Sequence, residues 1–255
     1  PAPKGERIAK VLARAGGASR REAEKMGAAG RVAVDGAVIA SPALNVFPES
    51  RVSVDGKPLK APEPARMWLY HKPAGLVTSH RDPQGRATVF TALPPGLPRV
   101  ISVGRLDMSS EGLLLLTNDG ALARSLELPA RGWIRRYRVR VFGRPDEKAL
   151  AGLAAGVSIE GVDYGPITAT LERQKGDNCW LALALREGKN REVRRVMEHL
   201  KCRVNRLIRV AFGPFQLGNL EPGEVREVPR KVLKEQLGQG APKPARPHAR
   251  HRRQA

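Results

Sequence analysis

Apolar residues recur at helical spacing in the first part of the chain. From residue 7 to residue 15 they occupy every third or fourth position, and Gly16-Gly17 then ends the pattern. Ser19 stands three residues before Glu22, which is the spacing of a capping box, and predicts a second helix over residues 20–29. We therefore expect two short helices joined by a tight turn.

Apolar and polar positions alternate after the helix pair. Residues 31–34 and 37–39 flank Asp35-Gly36, which is the strongest short signal for a β-hairpin. The pattern Arg-Val-x-Val-Asp-Gly recurs at residues 51–56, either as an internal repeat or, in our interpretation, as a second hairpin of one small sheet. Prolines at positions 58, 62 and 64 indicate a semi-rigid linker. We expect a first domain over residues 1–62 and a linker over residues 63–66.

Strand and helix patterns mix in the rest of the chain. Their order predicts an α+β fold, in which helices flank a mixed, largely antiparallel sheet over residues 67–230. A basic extension follows over residues 231–255, and from residue 241 it is expected to be mostly disordered because it lacks acidic and large apolar residues. Strands are predicted at 68–70, 100–103, 113–116, 137–142, 168–171 and 180–185, and helices at 119–126, 146–155 and 191–200.

Composition and charge point to a polyanionic partner. The 255 residues include 45 Lys and Arg against 25 Asp and Glu, a net charge of +20, which favours nucleic acid. A hydrophobic content of 41% can form a core and excludes a wholly disordered basic protein. Five His and two Cys are too few for a zinc finger or a disulfide framework. With no apolar run of membrane length, we expect a cytoplasmic protein without a membrane role.

Arginines gather near one end of the predicted helix pair. Such a cluster suits bidentate contacts to phosphates, and a solvated basic face is the alternative. Segments 6–16, 19–23 and 30–36 resemble the RNA-binding domain of the ribosomal protein S-four type almost throughout. This resemblance implies that the paired arginines and the surrounding face bind structured RNA. The clustered residues are Arg14, Arg20, Arg21 and Arg31.

One acidic residue stands in a loop between two predicted strands. Residues 103–107 read Val-Gly-Arg-Leu-Asp, and the apolar run 113–116 follows shortly after. Such a loop holds Asp107 on a rigid support, where catalytic groups belong. A structural acid paired with Arg105 is the alternative. Further along, Asp119 precedes a helix pattern as an N-cap would.

Residues 136–141 alternate strictly between arginine and apolar or aromatic side chains. Tyr137 therefore shares one strand face with two valines, while three arginines share the other face. This places Tyr137 against a core or a cleft. An ordinary core tyrosine with a satisfied hydroxyl is the alternative to a functional one.

A basic turn and helix follow over residues 187–197, with Asn190 expected as the helix N-cap. Lys189 in the turn and the helix arginines could bind phosphates or pair with a buried acid. The helix pattern predicts a buried stripe of Val193, Val196, Met197 and Leu200, with Arg191, Arg194 and Arg195 facing outward.

Five segments together resemble the bacterial ribosomal RNA pseudouridine synthases of the RsuA/RluB type, in the family's order and over residues 7–229. The resemblance implies an isomerase that converts a uridine of ribosomal RNA into pseudouridine. The segments are Lys72-Pro73-x-Gly75, Gly104-Arg105-Leu106-Asp107 with Ser110–Leu114, Arg136-Tyr137-x-Val139, Glu187–Arg195 and Arg206–Val210.

The resemblance also implies residue roles. By motif match Asp107 is the nucleophile, Tyr137 contacts the flipped uracil and Lys189 pairs with the aspartate. Leu207 matches the family's active-site leucine. One departure is Glu192, where many members have Gln, and it affects local RNA contacts. RNA contacts are expected from Arg14, Arg20, Arg21, Arg31, Lys72, Arg105, Arg191, Arg194 and Arg195.

The isomerisation has no net redox change and needs no phosphoryl donor, so no cofactor and no metal are expected. The expected partner is ribosomal RNA, as a precursor or in an assembling subunit, and a monomer is expected. Val89-Phe90, residues 190–192 and the basic tail resemble the large-subunit members of the family, and this resemblance implies large-subunit RNA as the target. Two other classes stay open: a non-catalytic RNA-binding or ribosome assembly protein, and a metal-dependent nuclease that uses Asp107, Glu111 and Asp119.

Overall fold

The computed structural model describes residues 5–39 and 41–237. In its first part, strands β2, β3, β5 and β6 form an antiparallel sheet in the order β3-β2-β5-β6, and β1 pairs with β4. The elements are β1 (Glu6–Arg7), α1 (Ile8–Arg14), α2 (Arg20–Ala28), β2 (Val32–Val34), β3 (Ala37–Val38), β4 (Asn45–Val46), β5 (Val52–Val54) and β6 (Lys57–Pro58).

The local signals of this part are confirmed. Ser19 Oγ accepts a hydrogen bond from the Glu22 amide at 3.2 Å, and the Glu22 carboxylate accepts one from the Ser19 amide at 2.7 Å, which forms the capping box of α2. Asp35 and Gly36 adopt positive φ angles of 52° and 88°, as a tight hairpin turn requires. The helices and the sheet share one small core.

The second part carries the remaining elements. They are β7 (Met67–Lys72), β8 (Ile101–Val103), β9 (Glu111–Thr117), α3 (Gly120–Glu127), β10 (Arg135–Phe142), α4 (Glu147–Gly152), β11 (Val157–Ile159), β12 (Val162–Tyr164), β13 (Ile167–Lys175), β14 (Asn178–Leu185), α5 (Glu192–His199), β15 (Arg203–Phe212), β16 (Phe215–Gln216), β17 (Val225–Glu227) and α6 (Arg230–Leu237). Short 3₁₀ turns cover Pro129–Arg131 and Leu153–Ala155.

A nine-stranded sheet organises this second part. Its main path runs β13-β14-β10-β15-β9-β7-β17, with β8 and β16 attached to β9 and β15. The β9–β15 pair is parallel, and the other pairs are antiparallel. The expected α+β class with a largely antiparallel sheet is confirmed.

Strand β9 lies at the centre of the packing. Leu113 and Leu115 face a core with α3 and α6, while Leu114 and Leu116 face a second core with Trp68 on the other side of the sheet. Burial on both faces explains the continuous apolar run. A third core lies between α4, α5 and one face of the strands β10 and β14.

Several elements were not predicted from the pattern. Strand β15 interrupts its apolar positions with arginines on both faces, so it shows no clear alternation. Helix α6 lies in the region expected to be a basic extension, and residues from 241 onward lie outside the described ranges. Within residues 5–39 and 41–237, no helix is long and apolar enough to cross a membrane.

Candidate functional site

A cleft of about 490 Å³ opens where the loop between β8 and β9 meets β10, β15 and the start of α5. These segments are far apart in the chain, so the fold assembles the cleft. Of the residues singled out from the sequence, it brings together Arg105, Asp107, Tyr137, Lys189, Arg191 and Leu207.

Hydrogen bonds fix the backbone of the loop that carries Asp107. The carbonyl oxygens of five successive residues, 106–110, each accept a hydrogen bond, and this leaves the loop little conformational freedom. The donors, in order along the loop, are Thr78 Oγ1 at 2.8 Å, the Ser110 amide at 3.0 Å, the Gly75 amide at 2.8 Å, Arg194 at 3.0 Å and Lys72 Nζ at 2.8 Å.

The side chain of Asp107 is unrestrained by comparison. It is half-buried, lines the cleft and makes no hydrogen bond or ion pair with any residue that the structure describes. The alternative pairing with Arg105 is not formed, and Arg105 is exposed. A free carboxylate therefore stands in the cleft on a fixed backbone.

Lys189 does not make the predicted pair with Asp107. Its ammonium group binds the Glu187 carboxylate at 2.7 Å and the carbonyl of Asp163, and it lies 5.7 Å from the centre of the Tyr164 ring. Glu187 raises the pKa of Lys189. The physical reason is that Lys189 is exposed at the rim, where the carboxylate two residues earlier offers the nearer partner.

The negative charge of Asp107 instead acts on the pKa values of two buried cations. Lys72 has no exposed surface, and burial lowers its pKa to about 8, while the negative charge of Asp107 opposes that shift. Arg194 is 8% exposed, and burial lowers its pKa, again opposed by Asp107. The expectation that Arg194 faces outward is wrong, and neither side chain is exposed for the expected RNA contact, because both hold the loop from inside.

The other arginines of α5 remain accessible. Arg191 is exposed and lines the cleft. Arg195 is exposed, and its contact with the hydroxyl group of Tyr164 raises its pKa.

Tyr137 and Leu207 form part of the cleft wall, where Tyr137 is half-buried and Leu207 is 5% exposed. Beside them lies Arg209, a buried residue of the segment Arg206–Val210 for which the sequence indicated no role. Its Nε donates to the Leu113 carbonyl at 2.8 Å, and one terminal nitrogen has no partner among the described residues. Its role in the cleft could have been predicted from its position two residues after Leu207, because residues two apart lie on the same face of a strand.

Glu192 is a second buried acid of the cleft, and burial raises its pKa. One carboxylate oxygen accepts from the Lys189 amide at 2.9 Å, while the other has no partner in the described part of the chain. The expected Asn190 cap is wrong. Arg191 takes the N-cap position with a φ of 52° and no side-chain hydrogen bond, and the Glu192 carboxylate reaches back to the turn instead.

The acids considered for a nuclease have separate roles. Glu111 pairs with Arg206 at 2.8 Å, and Asp119 caps α3 by accepting from two amides at 2.7 Å, as predicted. Over residues 5–39 and 41–237, no group of three acidic, His or Cys side chains could hold a metal ion.

A second groove, of about 430 Å³, lies between the helix pair and the larger domain. Its cations include Arg14, Arg20, Arg99 and Arg124. The predicted convergence of four arginines is therefore partial. Arg21 is exposed but does not line this groove, and Arg31 pairs with Asp55 at 2.6 Å.

Comparison with known proteins gives two family matches. Residues 66–199 match the RNA pseudouridylate synthase family, and residues 6–52 match the S4 domain.

Individual relatives agree with these matches. An RNA pseudouridine synthase of Rickettsia prowazekii (strain Madrid E) is 46% identical over 231 residues, which are 91% of this chain and 97% of the relative. The ribosomal large subunit pseudouridine synthase B of Salmonella typhi is 44% identical over 218 residues, 83% of this chain and 75% of the relative. A crystal structure of a pseudouridylate synthase superposes with a TM-score of 0.63 at 27% identity. The superposition covers 91% of this chain and 100% of the chain in that crystal structure.

Proposed function

Since the chain belongs to the RNA pseudouridylate synthase family, we propose that it converts a specific uridine of large-subunit ribosomal RNA into pseudouridine, with Asp107 as the nucleophile. The similarity to the large-subunit enzyme of Salmonella typhi supports this choice of RNA. A ribosomal RNA substrate, free or in an assembling subunit, places the reaction in the cytoplasm. We also propose that the protein acts as a monomer.

The reaction requires a carboxylate and a closed site. The bond from uracil N1 to the ribose breaks, the base turns, and carbon 5 bonds to the ribose while its proton is lost and N1 gains one. No electrons are transferred, so no cofactor is proposed. An ionised Asp107 attacks the sugar or assists departure of the base, as carboxylates do in glycoside chemistry. Lys72 and Arg194 hold the backbone of the loop that positions this carboxylate.

The fixed loop around Asp107 is the observation that carries this proposal. Five restrained carbonyls hold the backbone while the carboxylate itself stays unpaired in the described structure. A structural acid would be expected to have its oxygens satisfied by neighbours. A free carboxylate on a rigid support is instead pre-organised to react with a bound substrate.

The target base must leave its stack to reach this carboxylate, at a cost of a few kcal/mol. Tyr137 offers a ring at the cleft wall to hold the extruded uracil, beside the apolar surface of Leu207. Arg105, Arg191 and Lys189 lie exposed at the rim, where they contact the flanking phosphates. The first domain, residues 1–62, recruits the folded RNA through Arg14 and Arg20.

Pseudouridine mapping of ribosomal RNA tests the proposal. RNA from cells with and without this chain is compared at every uridine. We expect one large-subunit position to lose its modification when the chain is absent and to regain it on complementation. Identical maps would instead favour a non-catalytic RNA-binding or assembly protein.

A further inference from the structure

The sheet face opposite the cleft carries a second concentration of charge. On β10, side chains alternate so that Tyr137 faces the cleft while its neighbours point to the other side. In the described part of the chain, α4 and α5 pack against the cleft side of these strands, and the β10 side chains on the other side are exposed. We call this other side the open face, and its cations are Arg136, Arg138, Arg140, Arg173, Lys175, Arg203 and Arg206.

Carboxylates neutralise only part of the open face. Arg138 pairs with Glu172 at 2.9 Å and Arg206 with Glu111 at 2.8 Å. The other five cations form no ion pair with the residues that the structure describes. Arg140 stands directly opposite Arg206 on the neighbouring strand, and such like-charge pairs destabilise a sheet. Glu111 offsets the charge of Arg206, and an anion bound here would supply the counter-charge that Arg140 lacks.

Aromatic rings hold two of the guanidinium groups in place. Arg138 lies 5.0 Å from the centre of the Trp180 ring, and Arg203 lies 5.4 Å from that of Phe142. These stacked guanidinium groups occupy ring faces that nucleobases would otherwise use. The surface is therefore suited to contacts with phosphates and less suited to reading bases.

The shape of the face agrees with a polynucleotide. A shallow depression of about 450 Å³ is lined by Arg140, Arg173, Lys175, Asn178 and Trp180, none of which is acidic. Ala182 and Ala184, which pair with Arg138 and Arg136, add only small side chains to this face. A protein partner would be expected to meet a more apolar centre, whereas nucleic-acid interfaces are strongly basic.

We propose that the open face binds the phosphate backbone of the substrate RNA at a site separate from the cleft. This inference rests on the proposed function for the identity of the RNA. The large substrate thus contacts both faces of the sheet, with chemistry on one face and sequence-independent attraction on the other.

A charge-matched comparison tests the open face. One full-length variant combines Arg140→Gln, Arg173→Gln and Lys175→Gln. The control combines Lys148→Gln, Lys231→Gln and Lys234→Gln, which removes the same charge from exposed positions on α4 and α6. Binding of transcribed large-subunit ribosomal RNA is measured at several salt concentrations. We expect the open-face variant to bind roughly tenfold more weakly and to lose about two units of log–log salt slope, since each lost contact removes somewhat less than one unit. Equal losses in both variants would overturn the proposal.

Lysine labelling of the unmodified protein provides a measurement that does not depend on variant folding. With an amine-acylating reagent, RNA is expected to protect Lys175 and to leave Lys148 reactive. Equal labelling of Lys175 with and without RNA overturns the open face as a binding site. Neither measurement needs turnover. RNA binding by the open face can therefore be confirmed even if pseudouridine mapping contradicts the proposed function, and the proposed function can be confirmed even if the open face does not bind RNA.

Discussion

At the residue scale, Asp107 gives the sharpest test of the chemistry. Asp107→Asn removes the nucleophile while it changes little volume and no phosphate contact. We expect isomerisation to be lost, with RNA affinity within several-fold of that of the unaltered protein. Tritium release from carbon 5 of labelled uridine measures turnover, and filter binding measures affinity. Substantial turnover by the variant would remove Asp107 from the mechanism.

Two substitutions of Tyr137 distinguish the contribution of its ring from that of its hydroxyl group. Tyr137→Phe keeps the ring and should preserve contact with the extruded base, whereas Tyr137→Leu loses both the ring and the hydroxyl. We expect single-turnover rates to fall in the order Tyr, Phe, Leu. If all three forms react equally fast, Tyr137 serves only as a residue of the cleft wall.

Lys72 links stability to pH. Its folded-state pKa of about 8 lies below the ordinary value of 10.5, so between these values the unfolded chain binds more protons. The free energy of unfolding should therefore rise with pH across this window, by at most about 3 kcal/mol. Lys72→Met should remove that rise, and Lys148→Met, on the exposed surface of α4, should retain it. Urea unfolding at pH 7.5 to 10.5 measures both slopes.

The sequence indicated which residues to examine, but not which cation stands beside which acid. Motif order placed Asp107, Tyr137 and Leu207 together, and the cleft contains all three. The Lys189 pairing failed because Glu187, two residues away, competes for the ammonium group. The side chain of Arg194 points inward because it donates to the Ser109 carbonyl, which lies 85 residues away in the chain. No local sequence pattern reveals such a contact.

At the element scale, the β9–β15 pairing brings two backbones unusually close. Gly112 has a φ of 100°, and a Cβ there would overlap the carbonyl oxygen of Arg209. Gly112→Ala should cost about 3 kcal/mol or more through this overlap. Gly85→Ala also starts from a positive φ but meets nothing within 4 Å, and should cost roughly 1 kcal/mol. Thermal unfolding of both variants provides the comparison, and equal losses would contradict the close approach.

Elements with a strong local signal were predictable and those set by tertiary contacts were not. The capping box of α2 and the hairpin turn at Asp35 are complete within a few residues, so the sequence alone predicts them. The start of α5 depends on Arg191 adopting a positive φ, a conformation uncommon for arginine. Strand β15 takes its regularity from β10, with two register shifts, and its own pattern does not show it.

At the scale of the whole molecule, two parts have separate cores. The core of the first part uses residues from Ile8 to Leu59, and the cores of the second part begin at Ala65. Contacts between the parts include ion pairs from Glu22 to Arg81 and Arg99 at 3.5 and 3.7 Å, which are exposed and add little stability. The catalytic cleft draws all its residues from the second part.

Removing residues 1–62 should therefore weaken RNA binding while the cleft stays assembled. The deletion removes Arg14 and Arg20 from the groove between the parts, and each lost phosphate contact should lower the log–log salt slope by about 0.7 to 0.9. Removing residues 241–255 should do less, because a folded arginine cluster can match RNA shape whereas the basic tail adds mainly charge. Binding of a ribosomal RNA fragment at several salt concentrations, with single-turnover rates at saturating enzyme, measures both effects. An unchanged affinity after loss of residues 1–62 would show that this domain does not recruit RNA, and a collapse of the saturated rate would mean that it helps to build the active site.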